Sequence, residues 1–183
     1  MTHLLKRLFG SGSGRVAGER MYAAVVSQAR QPAFYARLGV ADEIDARFEL
    51  YTLHMLLLVM RLRDDGEAGR EAGQALFDVY VAALDDTLRE LGVGDTTVPK
   101  KMRKLGEQLY GRMATYEPLL KAGDEAGLSS ALARNVYDRP EASEAGLLSV
   151  YALKARASLE NQKMSDLSAG RVIWPNVVEG VAA

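Results

Sequence analysis

Cysteine is missing altogether, and histidine occurs only twice, in a chain of 183 residues. The first absence removes disulfides, thiolate nucleophiles, iron–sulfur clusters and Cys-ligated zinc. The second leaves no histidine-rich metal site, because His3 lies in the N-terminal segment and His54 stands alone. Long apolar runs are absent too: none exceeds the six residues of Met55–Met60, against the roughly 20 that a spanning helix needs. Ile (two) and Thr (six) are scarce beside 25 Leu and 26 Ala, the bias of helices and not of sheets. An excess of charge is lacking as well, since 23 Lys+Arg stand against 24 Asp+Glu.

What is there fits one globular domain, with 48% apolar and 26% charged residues. The N-terminal stretch MTHLLKRLFGSGSGR splits Leu4, Leu5, Leu8 and Phe9 with Lys6 and Arg7. It therefore has neither the continuous apolar core nor the small-residue cleavage site of a secretory signal, and a cytoplasmic chain is expected. Residues 1–14 read as a frayed terminus or as a short amphipathic foot on an anionic membrane surface. Residues 15–183 read as one helical domain.

Helical periodicity runs nearly throughout. Helices are expected at 15–30, from Pro32 to Arg37, at 41–63, 70–91, 98–117, 124–137 and 141–167, in a bundle of six or seven. In 41–63, one stripe is Ile44, Phe48, Tyr51, Met55, Leu58 and Leu62, and a second is Leu50, Leu53, Leu57 and Met60. A helix apolar on both sides belongs at the centre of a bundle. Thr96 or Thr97 can cap the 98–117 helix, with Pro99 tolerated in its first turn and Pro118 near its end. The tail RVIWPNVVEGVAA is expected to cross the bundle through Val172, Ile173 and Trp174.

The near-zero net charge conceals segregation. Residues 1–37 sum to +5, residues 64–95 to −7 (nine acids against Arg70 and Arg89), and residues 96–121 to +4. An acidic helix with Asp78, Asp85, Asp86 and Glu90 thus precedes a basic one with Lys100, Lys101, Arg103, Lys104 and Arg112. The plain structural expectation is that the two pack antiparallel and partly neutralise each other, at about 0–1 kcal/mol for each exposed pair. Yet four cations fall in the first turns of the basic helix, where the helix dipole disfavours them by a few tenths of a kcal/mol each. A binding surface for an acidic partner (phosphate, RNA, lipid headgroups or an acidic protein) is the competing expectation.

Other constellations carry less. Asp85-Asp86 is similar to the magnesium-holding acids of isoprenoid enzymes, but position 89 is Arg where a third acid would stand, and Asp85 with Arg89 makes an ordinary i,i+4 pair. His54 lies between the apolar stripes, as a core or boundary histidine or, alternatively, a haem ligand or base. No nucleophile-elbow, Walker or dinucleotide glycine motif occurs, and GSGSG at 10–14 follows no strand, so it reads as a linker. No enzyme, cofactor, metal or DNA partner is expected. The alternatives kept open are an all-α isoprenoid- or quinone-related enzyme and an RNA- or ribosome-contacting module.

The run FELYTLHMLLLVMRLR, followed by LFDVYVAALDDTLRELGVGDTTVPKKMRKLGEQLYGRMATYEPLL, resembles the ubiquinol–cytochrome c chaperone family. LRELGVGD…VPKKMRKL…LYGR is its most specific part, and the similarity spans roughly residues 25–165, with the foot and the Trp174 tail outside. The resemblance implies a non-enzymatic assembly factor. Mitochondrial members look after newly made cytochrome b of respiratory complex III, together with a small second assembly protein near the ribosomal exit. A chain like this one looks like a bacterial form, with cytochrome b as client at the inner face of the cytoplasmic membrane. The candidate client or partner contacts are Lys100, Lys101, Arg103, Lys104 and Arg112 as a charged rim, with Tyr110 and Met113 as adaptable apolar surface. Plain core packing is the competing role for Tyr110 and Met113.

Overall fold

In the computed structural model, which describes residues 12–177, every regular element is helical. The elements are α1 (Gly12–Ala29), α2 (Pro32–Ala36), α3 (Ile44–Arg63), α4 (Gly66–Glu90), α5 (Val98–Ala122), α6 (Glu125–Asn135), α7 (Ala145–Glu160) and α8 (Met164–Ser168). Six long helices make the bundle, and the five-residue α2 and α8 complete it. Among the described residues no helix is long and apolar enough to cross a membrane. The expectations for residues 1–11 and 178–183 lie outside the described residues.

Helix α3 is the axis of the molecule and packs against α1, α4, α5 and α7. Both of its stripes are buried: Leu50, Leu53, Met55, Leu57, Leu58 and Leu62 are at most 1% exposed. The first stripe is looser toward its start, where Phe48 and Tyr51 are partly buried and Ile44 is 62% exposed. Which positions of a stripe the neighbouring helices cover is something a periodicity along one chain cannot reveal.

Helices α1 and α4 approach closely at Gly18, where an added Cβ would lie 2.6 Å from the Ala75 carbonyl oxygen. A side chain there would push two backbones apart. Helix α4 buries Gly69, Gly73, Leu76 and Tyr80, and the Tyr80 hydroxyl hydrogen-bonds the buried Thr52 hydroxyl of α3 at 2.8 Å.

Four expectations are corrected. Helix α1 starts at Gly12, so residues 12–14 of the expected linker are helical; the N–H groups of a first turn have no intrahelical partner to lose. Helix α5 continues four residues past Pro118 and stops at Gly123, whose left-handed backbone (φ 66°) lets its N–H reach the carbonyls of the last turn. Burial of Leu120 holds that last turn in place. Thr97 occupies the N-cap position of α5, but its side chain makes no capping bond.

The expected helix 141–167 is two helices separated at residues 161–163. At the break Arg61 donates to the carbonyls of Leu159 and Gln162 at 2.9 and 2.7 Å, while the Gln162 side-chain amide donates to the Ile173 carbonyl at 2.7 Å and accepts from the Ile173 N–H at 2.8 Å. The tail is thereby tied to the bundle like an added strand. Val172 and Trp174 pack on the core, whereas Ile173 is 68% exposed, because alternate residues of an extended chain face opposite ways.

Leu57→Ala should lose about 2–5 kcal/mol, as a truncation in a closed core. Gly18→Ala should also destabilise, by about 1–3 kcal/mol from overpacking, although alanine is the better helix former. Urea unfolding of both variants checks the pair, and a more stable Gly18→Ala would contradict the close approach of α1 and α4.

Candidate functional site: the α4–α5 arm

From residue 81 to residue 108 a single side chain, Val98, is buried, and it stands outside the main core cluster. The C-terminal part of α4 and the N-terminal part of α5 therefore form a helical hairpin arm that leaves the bundle. Its apolar seam is incompletely covered, with Leu88, Met102 and Leu105 half-buried and Leu91 55% exposed.

The sequence-predicted contact residues divide here. Lys100, Lys101, Arg103 and Lys104 are all exposed on the arm, and Tyr110 is 62% exposed at its base. Arg103 approaches Glu107 at 3.7 Å. Lys100, Lys101 and Lys104 make no ion pair among the described residues. The other two candidates turn inward. Arg112 reaches α3, donating from Nε and Nη2 to the two carboxylate oxygens of Glu49 at 2.9 and 2.7 Å. Met113 packs partly buried against the core. The competing role of core packing thus describes Met113 and not Tyr110.

Glu49 was the residue that sequence reasoning passed over. Its signal was visible as a lone carboxylate between Phe48 and Leu50 on a helix otherwise apolar on both sides. Its side chain is 7% exposed, so it must be paired, and the planar Arg112 fork matches it in geometry. The pair bolts α5 to α3 just below the arm.

The expected neutralisation between the acidic and basic helices does not occur: among the described residues no ion pair joins α4 to α5. Arg89 instead takes Asp85 at 2.6 Å and also Asp95, within its own helix and the following turn. Asp86 and Glu90 remain exposed and without an ion pair among the described residues. Asp85 is therefore half of the i,i+4 pair foreseen for it.

A second feature lies at the other end of α4. A cleft of about 230 Å³ opens where α3, α5 and α7 end, floored by Leu57 and Met60. Its charged walls are already paired, Arg63 and Lys121 with Glu117 at 2.7 Å each and Arg156 with Glu160 at 2.9 Å. Arg61 beside it caps α7, donating to the carbonyls of Leu159 and Gln162 at 2.9 and 2.7 Å. Asp85 and Asp86 begin some 20 residues further along α4, about 30 Å away at 1.5 Å per residue. The acid pair does not face this cleft.

His54 is fully buried and doubly bonded. A carbonyl only accepts, so the 2.7 Å contact of Nδ1 with the Leu50 carbonyl places the ring proton on Nδ1. Nε2 then accepts from the Tyr151 hydroxyl at 2.8 Å, and that oxygen accepts in turn from the Gln28 amide at 2.9 Å. Phe34 and Trp174 meet the ring edge-to-face at 5.3 and 5.1 Å. Both nitrogens are engaged, so neither is free for a metal or a substrate proton. Burial pushes the His54 pKa down to about 4, outweighing the opposite pull of the Leu50 bond.

This all-helical fold, with a charge-divided arm and a histidine sealed in the core, describes a binding protein more readily than a reaction centre. The chain belongs to the ubiquinol–cytochrome c chaperone family, whose model matches residues 36–174. The match takes in Trp174, which the resemblance by sequence had left outside. The Xenopus laevis ubiquinol–cytochrome c reductase complex assembly factor 1 is 23% identical over 168 residues, covering 90% of this chain and 84% of that protein. The human protein of the same name is 24% identical over 168 residues, and this chain spans little more than half of it (56%). A solved structure, the crystal structure of the Cbp3 homolog from Brucella abortus, superposes with a TM-score of 0.83 at 34% identity, covering 98% of this chain and 99% of that one.

Two measurements check these assignments. His54 is neutral when folded and has an ordinary pKa of 6.5 when unfolded, so the unfolded state binds the extra proton. Stability is then complete above pH 6.5 and falls as pH drops toward 4, by up to about 3 kcal/mol. Thermal melting from pH 7.5 to pH 4.5 should show this slope in the wild type and a shallower one in His54→Phe. Arg112→Ala should cost about 3–5 kcal/mol by stranding Glu49. The double change Glu49→Leu/Arg112→Met should cost less than Arg112→Ala alone, as chemical denaturation can establish.

Proposed function

We propose that this protein is a non-enzymatic assembly chaperone of respiratory complex III whose client is newly made cytochrome b. Family membership across residues 36–174 carries the reading. Relatives named as assembly factors of ubiquinol–cytochrome c reductase support it. The exposed face of α5, with Lys100, Lys101, Arg103, Lys104 and Tyr110, is the contact surface. Four cations at the N-terminal end of a helix oppose its dipole, so their placement serves something other than the stability of the isolated chain. Tyr110 adds a large apolar side chain with a polar tip, the kind of residue that dominates binding energetics. Arg112 and Met113 act behind this surface, by fixing where α5 sits.

The two other function classes gain nothing comparable. Asp85 is held by Arg89 and lies far from the charged-walled cleft. An RNA surface would call for one sign of charge, whereas residues 85–108 carry five basic side chains among five acidic ones.

A photo-crosslinking residue at position 110, used in cells, should capture cytochrome b. Lys104→Ala should change stability by less than about 0.5 kcal/mol and still lower complex III levels. A chain that never captures cytochrome b, and whose deletion leaves complex III unchanged, would end this reading.

A further inference from the structure

The arm breaks the same electrostatic rule twice at one place. Lys100, Lys101, Arg103 and Lys104 crowd the N-terminal end of α5, where the helix dipole is positive. Asp86 and Glu90 stand unpaired at the C-terminal end of α4, where it is negative, beside an Asp85 already held by Arg89. Neither set relieves the other, since no ion pair joins the two helices among the described residues. A partner of one sign would relieve one helix and be repelled by its neighbour. The arm is neutral as a whole, with five acids and five bases between positions 85 and 108, and apart from Arg89 on α4 and Glu107 on α5 its helical charges are separated by helix.

A second copy of the same arm meets all of these conditions. A twofold axis across the tip sets α4 of one copy against α5 of the other, and by symmetry the reverse pairing occurs as well. Each group of charges then faces the opposite group and the opposite dipole end. The same approach covers the seam that the bundle leaves open, namely Leu91, Leu88, Met102 and Leu105. None of these four belongs to the set packed on the main core.

We propose that this chain self-associates through its α4–α5 arm, as a reversible twofold dimer in which a second copy occupies the α5 face when no client is bound. The inference goes beyond the proposed function and stands whatever the client proves to be.

The test uses the whole chain and two charge-reversed variants in analytical ultracentrifugation. Lys100→Glu/Lys104→Glu takes the arm from neutral to a net charge of −4, and Asp86→Lys/Glu90→Lys takes it to +4. Both replace exposed residues by ones that suit their helix end better, so both should fold, as circular dichroism verifies. The wild type should form a dimer that dissociates as salt rises. Each variant alone should be monomeric, and an equimolar mixture of the two should recover a dimer. A wild type that stays monomeric at every concentration overturns the proposal. So does a dimer that either reversal leaves intact, or a mixture that fails to associate. If the wild type is monomeric while the α5 reversal still abolishes client capture, the face serves the client alone and self-association is refuted. If the dimer forms as described and no client is captured, the proposed function fails and this inference survives.

Discussion

No residue of α3 from Leu50 to Leu62 is exposed, and that single fact sets conditions on everything around it. A helix closed on all sides must find partners inside the protein for each polar atom it brings along, because an unmade bond in the interior costs the full desolvation of the group. Thr52 finds Tyr80 on α4, His54 finds Tyr151 on α7, and Glu49 finds Arg112 on α5. Each bond fixes a different neighbour, so the polar exceptions in the central helix also define where the surrounding helices sit. The aromatic shell of Phe34, Tyr151 and Trp174 around His54 completes the enclosure. Gln162 and Ser158 both hold the tail that carries Trp174 there.

The arm obeys the opposite logic. It has too little apolar surface facing the bundle to be anchored by burial, and its charges lie where its own helix dipoles disfavour them. A surface that gains nothing for its own chain is a natural place to look for contact with another one. The Glu49–Arg112 pair stands at the boundary between these regimes. It uses one cation of the arm's helix to build the core and leaves Lys100, Lys101, Arg103 and Lys104 exposed.

Much of the fold was legible in the residues. The double stripe of α3 announced a central helix, and the amphipathic patterns gave α4 to within four residues and the start of α5, because hydrophobic periodicity reports a helix that must hide one side. Where legibility failed, non-local bonds were responsible. Nothing in the pattern of 141–167 marks a break at 161–163, where the Gln162 side chain binds a distant tail and Arg61 takes the Leu159 and Gln162 carbonyls. Pro118 reads as a helix end by local rules, yet the burial of Leu120 and the cap at Gly123 carry the helix past it. For the contact surface, charge segregation was plain in the sequence. That Arg112 and Met113 turn inward was not, since a helical wheel gives directions without saying which side another helix will cover.

Composition and periodicity alone determined that this chain is an all-helical domain, that its charges are divided between successive helices, and that α3 is its centre. These depend on spacing along the chain and on which side chains avoid water. The tertiary structure decided which charges are spent inside and which stay available. It joined Glu49 to Arg112, left Lys100, Lys101 and Lys104 without ion partners among the described residues, and sealed His54 in neutral form. Those outcomes depend on which distant residues are brought within bonding reach, and burial then sets the cost of leaving any of them alone.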